Sequence, residues 1–179
     1  AISASGANIA GARVHTTKSG FAFDIFLVQS TIRRPFGEDH PQAMEALLRK
    51  LRRAAIEDQA SPTAPGPSRR AAAFVVEPWV RIDNELTPDA SVIEASGRDR
   101  LGLLADLARV CADSNISIVS AHIDTAGERA SDVFYVQEQG GGQITNVRRG
   151  VALRNALERA LRGPLPDSKA AMIANSTAP

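Results

Sequence analysis

The chain has one cysteine, Cys111, so no disulfide framework is open to it, and its thiol usage fits a reducing compartment, the cytoplasm. Aromatics are only 4% of the 179 residues, with one Trp and one Tyr, too few to build a base-stacking surface for RNA on a sheet. Neither sign of charge dominates: 21 Lys and Arg face 20 Asp and Glu, and a net charge of +1 gives no field to draw nucleic acid or an anionic membrane. The arginine pairs (33–34, 52–53, 69–70 and 148–149) are scattered and read as solvated helix faces and loops. No hydrophobic run approaches membrane-spanning length, and no signal peptide is visible. The histidines are His15, His40 and His122 only, with no His-x-x-x-His and no cysteine pair, which argues against a zinc or two-metal site. There is no Gly-x-Ser-x-Gly elbow and no phosphate loop; Gly140-Gly141-Gly142 runs into Gln143 rather than Lys and reads as a connecting loop. No residue qualifies as catalytic or as a metal ligand.

What the chain does have is a repeat. Ala12-Arg13-Val14-His15-Thr16, with Asp24-Ile25-Phe26-Leu27-Val28-Gln29 after it, returns as Ala121-His122-Ile123-Asp124-Thr125, followed by Asp132-Val133-Phe134-Tyr135-Val136-Gln137. The spacing is too wide for a solenoid unit and implies two copies of one small domain. His15 and His122 are predicted to point to opposite faces of the repeated strands. The repeated acids Asp24 and Asp132 are assigned turn or cap duty at strand starts.

The second copy reads as a unit. Ser91–Ala95 alternates and is rich in β-branched residues, a strand. Asp99-Arg100-Leu101-Gly102 is a turn whose Asp is placed to cap the following helix. That helix presents Leu103, Leu104, Leu107, Val110 and Cys111 on one face and ends at Asp113-Ser114-Asn115. Ile116–Thr125 and Ser131–Gln137 form a hairpin around Gly127, and a last helix carries a stripe of Val147, Val151, Leu153, Leu157 and Leu161. The order β-α-β-β-α is a ferredoxin-like α+β unit (βαββαβ) lacking only its last strand.

The first copy, residues 1–57, is expected to be truncated at its front, since Ala1–Ser5 align with the end of the second copy's first helix. With no initiator Met, the chain reads as a piece of a longer polypeptide. Its helix, Asp39–Glu57, is predicted to face inward through Met44, Leu47, Leu48, Leu51 and Ala55, while Ile9, Phe26 and Val28 are expected to be left exposed, favouring association. A Pro/Ala/Ser linker fills 58–73. The apolar run Phe74–Ile82 is confined to a sheet edge by Pro78; it serves either as a fourth strand of the first copy or as the edge strand the second lacks, the latter favoured because the connection to Ser91 is short. The second unit thus spans 74–163, and a disordered tail is expected over 164–179.

One place looks like a binding site. At Asp99-Arg100-Leu101-Gly102-Leu103 a turn runs straight into a helix whose first N–H groups and dipole suit a small carboxylate, with Asp99 as an acceptor for an ammonium group. An amino acid carries both charges. Asn115 and Ile116, at the start of the next strand, are candidates to border the same pocket. The blander alternative is that Asp99 only caps the helix and Gly102 only permits close packing.

The strand Val92–Ala95, the turn Asp99–Leu104, the segment Ala121–Arg129 and the strand Asp132–Val136 together resemble the ACT domain, an amino-acid-sensing regulatory module. In order and spacing they resemble the tandem ACT region of the bacterial bifunctional PII uridylyltransferase/uridylyl-removing enzymes, as do Gly6–Ile9, Ala12–Thr17 and Gly20–Gln29 of the first copy. The resemblance implies a glutamine-binding site at Asp99, Arg100, Leu101, Gly102, Leu103, Asn115 and Ile116, pairing of ACT units, and control of UMP transfer to and from the PII signalling protein. It implies Mg²⁺ for the parent enzyme's chemistry and no cofactor for this segment. Two departures stand out: Leu101 occupies a position that is usually Pro, and the first copy has no equivalent of Asp99–Gly102.

Overall fold

A computed structural model describes residues 2–57, apart from 18, 20, 31 and 39, and residues 76–163. The predicted linker (58–73) and tail (164–179) therefore lie outside the described residues. Among the described residues a 3-10 turn at Ser3–Ser5 is followed by nine strands and α-helices: β1 (Asn8–Thr16), β2 (Ala22–Gln29), α1 (Pro41–Glu57), β3 (Trp79–Asp83), β4 (Ser91–Arg98), α2 (Leu103–Asp113), β5 (Ile116–Ala126), β6 (Arg129–Glu138) and α3 (Val147–Arg162). The strands form one sheet, antiparallel throughout, in the order β2-β1-β5-β6-β4-β3.

The period-2 pattern decides which way each strand faces. On β6, Ala130, Asp132, Phe134 and Val136 are buried beneath the helices, whereas Tyr135 is exposed. Leu103, Leu107 and Cys111 of α2 and Leu153, Leu157 and Leu161 of α3 meet that face, with Leu104 and Val110 half-buried beside them. Val147 and Val151 do not join the predicted α3 stripe; they are 79% and 42% exposed, because the buried line runs through 153, 157 and 161 at a spacing of four. Leu47 of α1 packs with Ile2 and Ala7 over the β1–β2 end of the sheet. Leu48 and Ala55, predicted to face inward, are exposed instead, and Met44, Leu51 and Ala54 turn in. Burial of the Cys111 thiol pushes its pKa up to about 11, so it is a core side chain and not a nucleophile.

The run ahead of Ser91 takes the edge position. Within it, β3 begins after Pro78 and pairs with β4 from Trp79↔Ser96 to Asp83↔Val92; Phe74 and Val75 lie outside the described residues. β3 thereby occupies the place that a closing strand after α3 would fill, reached by the short connection 84–90, where the Asn84 side chain accepts from Ser91 Oγ at 2.6 Å and donates to the Ile144 carbonyl.

The two repeated hairpins have the same local geometry. Ala12 pairs with Phe26 as Ala121 pairs with Phe134, and both hairpins carry a bulge at the same place, between Ile9 and Gly11 and between Ile118 and Ser120. A left-handed residue precedes each, Gly6 (φ 76) and Asn115 (φ 55). β1 and β5 then pair with each other so that Arg13 lies opposite His122, its own counterpart in the repeat, with Gly11↔Asp124 and His15↔Ser120 on either side. A pseudo-two-fold axis passes through that pair, where Arg13 Nη1 and His122 Nδ1 are 3.1 Å apart. His15 and His122 share one face of the sheet, not opposite faces: they stand two positions apart in the repeat, and two steps along a strand restore the facing.

Candidate functional site

Where the β1 hairpin meets the β4–α2 turn, the sheet leaves a shallow cleft of about 340 Å³, counted to its open mouth, with enclosed room for little more than a water molecule. Ser3, Asn8 and Ile9 form one wall and Asp99, Arg100, Gly102, Leu103 and Leu104 the other; Ile123, Thr125, Ala130 and Asp132 of the sheet form the floor.

The turn is built by glycine. Gly102 has φ 85, a left-handed conformation that strains residues with a Cβ, and it stands at the N-cap of α2. No side chain caps this helix end. Asp99 does not perform the capping predicted for it; its backbone N–H donates to the Glu128 carbonyl at 2.9 Å and its carboxylate accepts from Asn8 Nδ2 at 3.1 Å. The first turn of α2, with the positive end of its dipole, opens onto the cleft, and its one acid, Asp106, is engaged by Arg100. Arg100 lines the cleft, and its buried Nε has no hydrogen-bond partner. Its Nη2 donates to Asp106 Oδ2 at 2.6 Å and to the Ala160 carbonyl at 2.9 Å, tying the turn to α2 and α3.

Two acids enter the cleft. Burial raises the pKa of Asp99, and the hydrogen bond from Asn8 works against that rise. Asp132 is 2% exposed and lies within β6, opposite Ile123 and Ala95; the turn or cap duty assigned to it does not hold, because the strand starts three residues earlier at Arg129. Burial, and then the charge of Asp99, push its pKa up to about 7, against a hydrogen bond from the Asp124 backbone. Its Oδ1 has no hydrogen-bond partner.

Of the predicted site residues, Asp99, Arg100, Gly102 and Leu103 line this cleft and Leu101 does not. Asn115 and Ile116 lie elsewhere. Ile116 opens β5 while the cleft is bordered by Ile123 and Thr125 near its other end, roughly 23 Å along the strand for seven residues. Ser3, Asn8, Thr125 and Asp132 are polar lining residues outside the predicted set. Asn8 depends on β1 pairing with β5, which the sequence does not display. Asp132 was open to notice: Asp132, Phe134 and Val136 alternate on one face, and a strand with that periodicity buries its acid with its apolar neighbours. Among the described residues no group of three or more His, Cys, Asp or Glu is placed to hold a metal ion, and no helix is long and apolar enough to cross a membrane.

The βαββ run over β4–β6 with its helices on one face, and a cleft at the strand–helix turn, define a class, and residues 91–143 match the family model of the ACT domain. The chain thus contains an ACT domain over part of its length. More particularly, over 163 residues, 90% of its length, it is 47% identical to the bifunctional uridylyltransferase/uridylyl-removing enzyme of Phenylobacterium zucineum (strain HLK1). It is 48% identical to the enzyme of that name from Caulobacter vibrioides (strain NA1000 / CB15N) over the same share, and 38% identical to that of Erythrobacter litoralis (strain HTCC2594) over 154 residues, 85% of the chain. The chain spans about 17% of the length of each of these relatives and is related to a segment of them that contains an ACT domain. No solved structure matches it significantly.

Proposed function

We propose that this chain is the tandem ACT region of a PII uridylyltransferase/uridylyl-removing enzyme and that its cleft binds glutamine. In this reading residues 1–57 belong to a first ACT unit whose opening strand and helix precede Ala1, 58–73 link the units, 74–163 are the second unit, and 164–179 are a tail. The shared registers and bulges of the two hairpins support a duplication, and the pairing of β1 with β5 supports side-by-side ACT units.

The observation that carries the ligand reading is the charge layout of the cleft. An uncapped helix N-terminus stands beside two acids, and no neutral or singly charged small molecule matches both. A zwitterionic amino acid does: its carboxylate goes to the Gly102–Leu103 turn and its ammonium group to the acids. Because β1 and the 3-10 turn at Ser3–Ser5 supply one wall and the β4–α2 turn the other, a bound ligand bridges the two units and favours the arrangement in which both walls close. A ligand shifts such an equilibrium only by its difference in affinity for the two states. In the parent enzyme, a cytoplasmic protein in this proposal, that shift selects between UMP transfer to PII and UMP removal. Mg²⁺ serves the parent's catalytic domains, and no residue of this chain is assigned to it.

Calorimetry of this chain with L-glutamine tests the reading. The expected result is saturable heat with a rise in melting temperature, about 1.4 kcal/mol of stabilisation at ten times Kd. The absence of both heat and thermal shift at millimolar glutamine contradicts it, and a response to a different amino acid alone reassigns the sensor.

A further inference from the structure

Asp132 lines the floor of the cleft and is buried. Its counterpart in the repeat, Asp24, is exposed and belongs to a hairpin of the same register. On its own face Asp132 stands between Ala130 and Phe134, with Ile123 and Ala95 opposite it on the neighbouring strands, so its surroundings within the sheet are apolar. A buried carboxyl oxygen without a partner is unfavourable, and native folds keep few of them. The side on which a partner can arrive is the cleft that Asp132 lines.

The charged groups around it are of the wrong sign to serve. Asp99 faces it from the turn before α2 and Asp124 comes from β5, and both charges disfavour its ionisation. The cation of that turn, Arg100, is engaged by Asp106 and the Ala160 carbonyl. From β1 and the 3-10 turn, the lining residues are Asn8, Ile9 and Ser3, none of them charged. Arg33, from the loop after β2, acts on Asp99, but its Nη2 donates to the Gly127 carbonyl, and the floor keeps an acid whose Oδ1 no donor reaches.

We propose that Asp132 receives the ammonium group of an amino acid bound in the cleft, sharing it with Asp99, and that ligand binding is coupled to release of the Asp132 proton to solvent. This rests on the reading of the cleft as an amino-acid site and orients the ligand in it: ammonium end inward to the strand floor, carboxylate at the Gly102–Leu103 turn. An ammonium group has three donors and no acceptor, so it can bond the lone Oδ1 and reach a second carboxylate as well. With the carboxyl at a pKa of about 7 in the free protein, the acid is largely protonated in mildly acidic solution, and a cation must displace that proton. Affinity therefore rises with pH until the carboxyl is ionised.

The test is calorimetry of the full chain with two probes, L-glutamine and 4-carbamoylbutanoate, which is glutamine without its amino group. Wild type is expected to bind glutamine roughly tenfold more weakly at about pH 6 than at about pH 8, with net proton release read from buffers of different ionisation enthalpy. Asp132→Asn is expected to lose about tenfold or more in glutamine affinity at about pH 8 and to lose the pH step. It should not weaken the deaminated probe further, since the partner of Asp132 is already missing there. Asp24→Asn should match wild type. Should wild type bind glutamine while Asp132→Asn binds it equally well with the same pH profile, the role of Asp132 is overturned and the amino-acid site stands. If wild type binds no glutamine at either pH, the site itself is overturned. If Asp132→Asn does not fold, wild type decides alone: equal affinity for both probes without proton release overturns the inference, and preference for glutamine with proton release upholds it.

Discussion

At the scale of single residues, Asp24 and Asp132 show how far a repeat carries. They are counterparts in sequence, yet one is exposed and the other is 2% exposed, because only the second lies under α2 and the β4–α2 turn. The identity of each residue was legible; what covers it depends on elements far off in the chain. The same holds for Asn8, whose partner Asp99 is 91 positions away. The buried acid has a consequence for stability with a defined sign. The folded pKa of about 7 lies above the ordinary carboxylate value of about 3.9, so between these the folded state holds the extra proton. Stability from this group is complete below about pH 4 and is lost as pH rises through 7, by an amount on the order of 4 kcal/mol. Urea denaturation between about pH 5 and pH 8 should show this decline in wild type and a flatter profile in Asp132→Asn, with the variant the more stable at the alkaline end.

At the scale of elements, the period-2 and helical patterns placed every strand and helix, and the errors fall on individual faces. On α1 and α3 the apolar residues outnumber the buried positions, so Leu48, Val147 and Val151 fit a predicted stripe and remain at the surface. Glycines mark one close approach and one left-handed turn that the pattern alone does not explain. A Cβ on Gly97 would stand 3.0 Å from Leu161 Cδ2 and 3.2 Å from its Cβ, so β4 and α3 are in contact there. Gly97→Val is expected to cost about 1–3 kcal/mol by overpacking, read as a lower denaturation midpoint. Gly102→Ala acts differently: at φ 85 it strains the turn by about 1 kcal/mol and shifts the first N–H groups of α2, so ligand affinity should fall along with stability. Gly127→Asn is the control. It also has a left-handed φ, of 62, but nothing lies within 4 Å and Asn tolerates that conformation, so its midpoint should stay near wild type.

At the scale of the whole molecule, two hairpins related by the repeat share one continuous sheet, and the ligand cleft sits on the helix-bearing side of their junction. Nothing in a linear sequence states that β1 and β5 are neighbours, although the repeat does say that, if they pair about an axis, each residue must pair with its mirror partner. The outer edge is where this arrangement stays open. Ile9, Phe26 and Val28, expected to be exposed, are half-buried, and the open apolar row is instead Phe23, Ile25 and Leu27 of β2, on the helix-free face, beside an outer strand edge that among the described residues carries only the Gln29↔Pro35 bridge and the Phe36-to-Val28 hydrogen bond. Such an edge favours association between chains. Light scattering should show concentration-dependent association of this chain that Ile25→Lys with Leu27→Lys reduces, and an unchanged dispersion in that variant would tell against the edge as its cause.

The central claim, that the junction cleft takes a free amino acid, is tested most directly by amide chemical shifts recorded during titration with L-glutamine. The account predicts saturable changes confined to Asn8, the Gly102–Leu104 turn and the strand positions Thr125 and Asp132. Saturating glutamine that leaves those amides unmoved, or that moves the helix-free face around His15 and His122 instead, would contradict it.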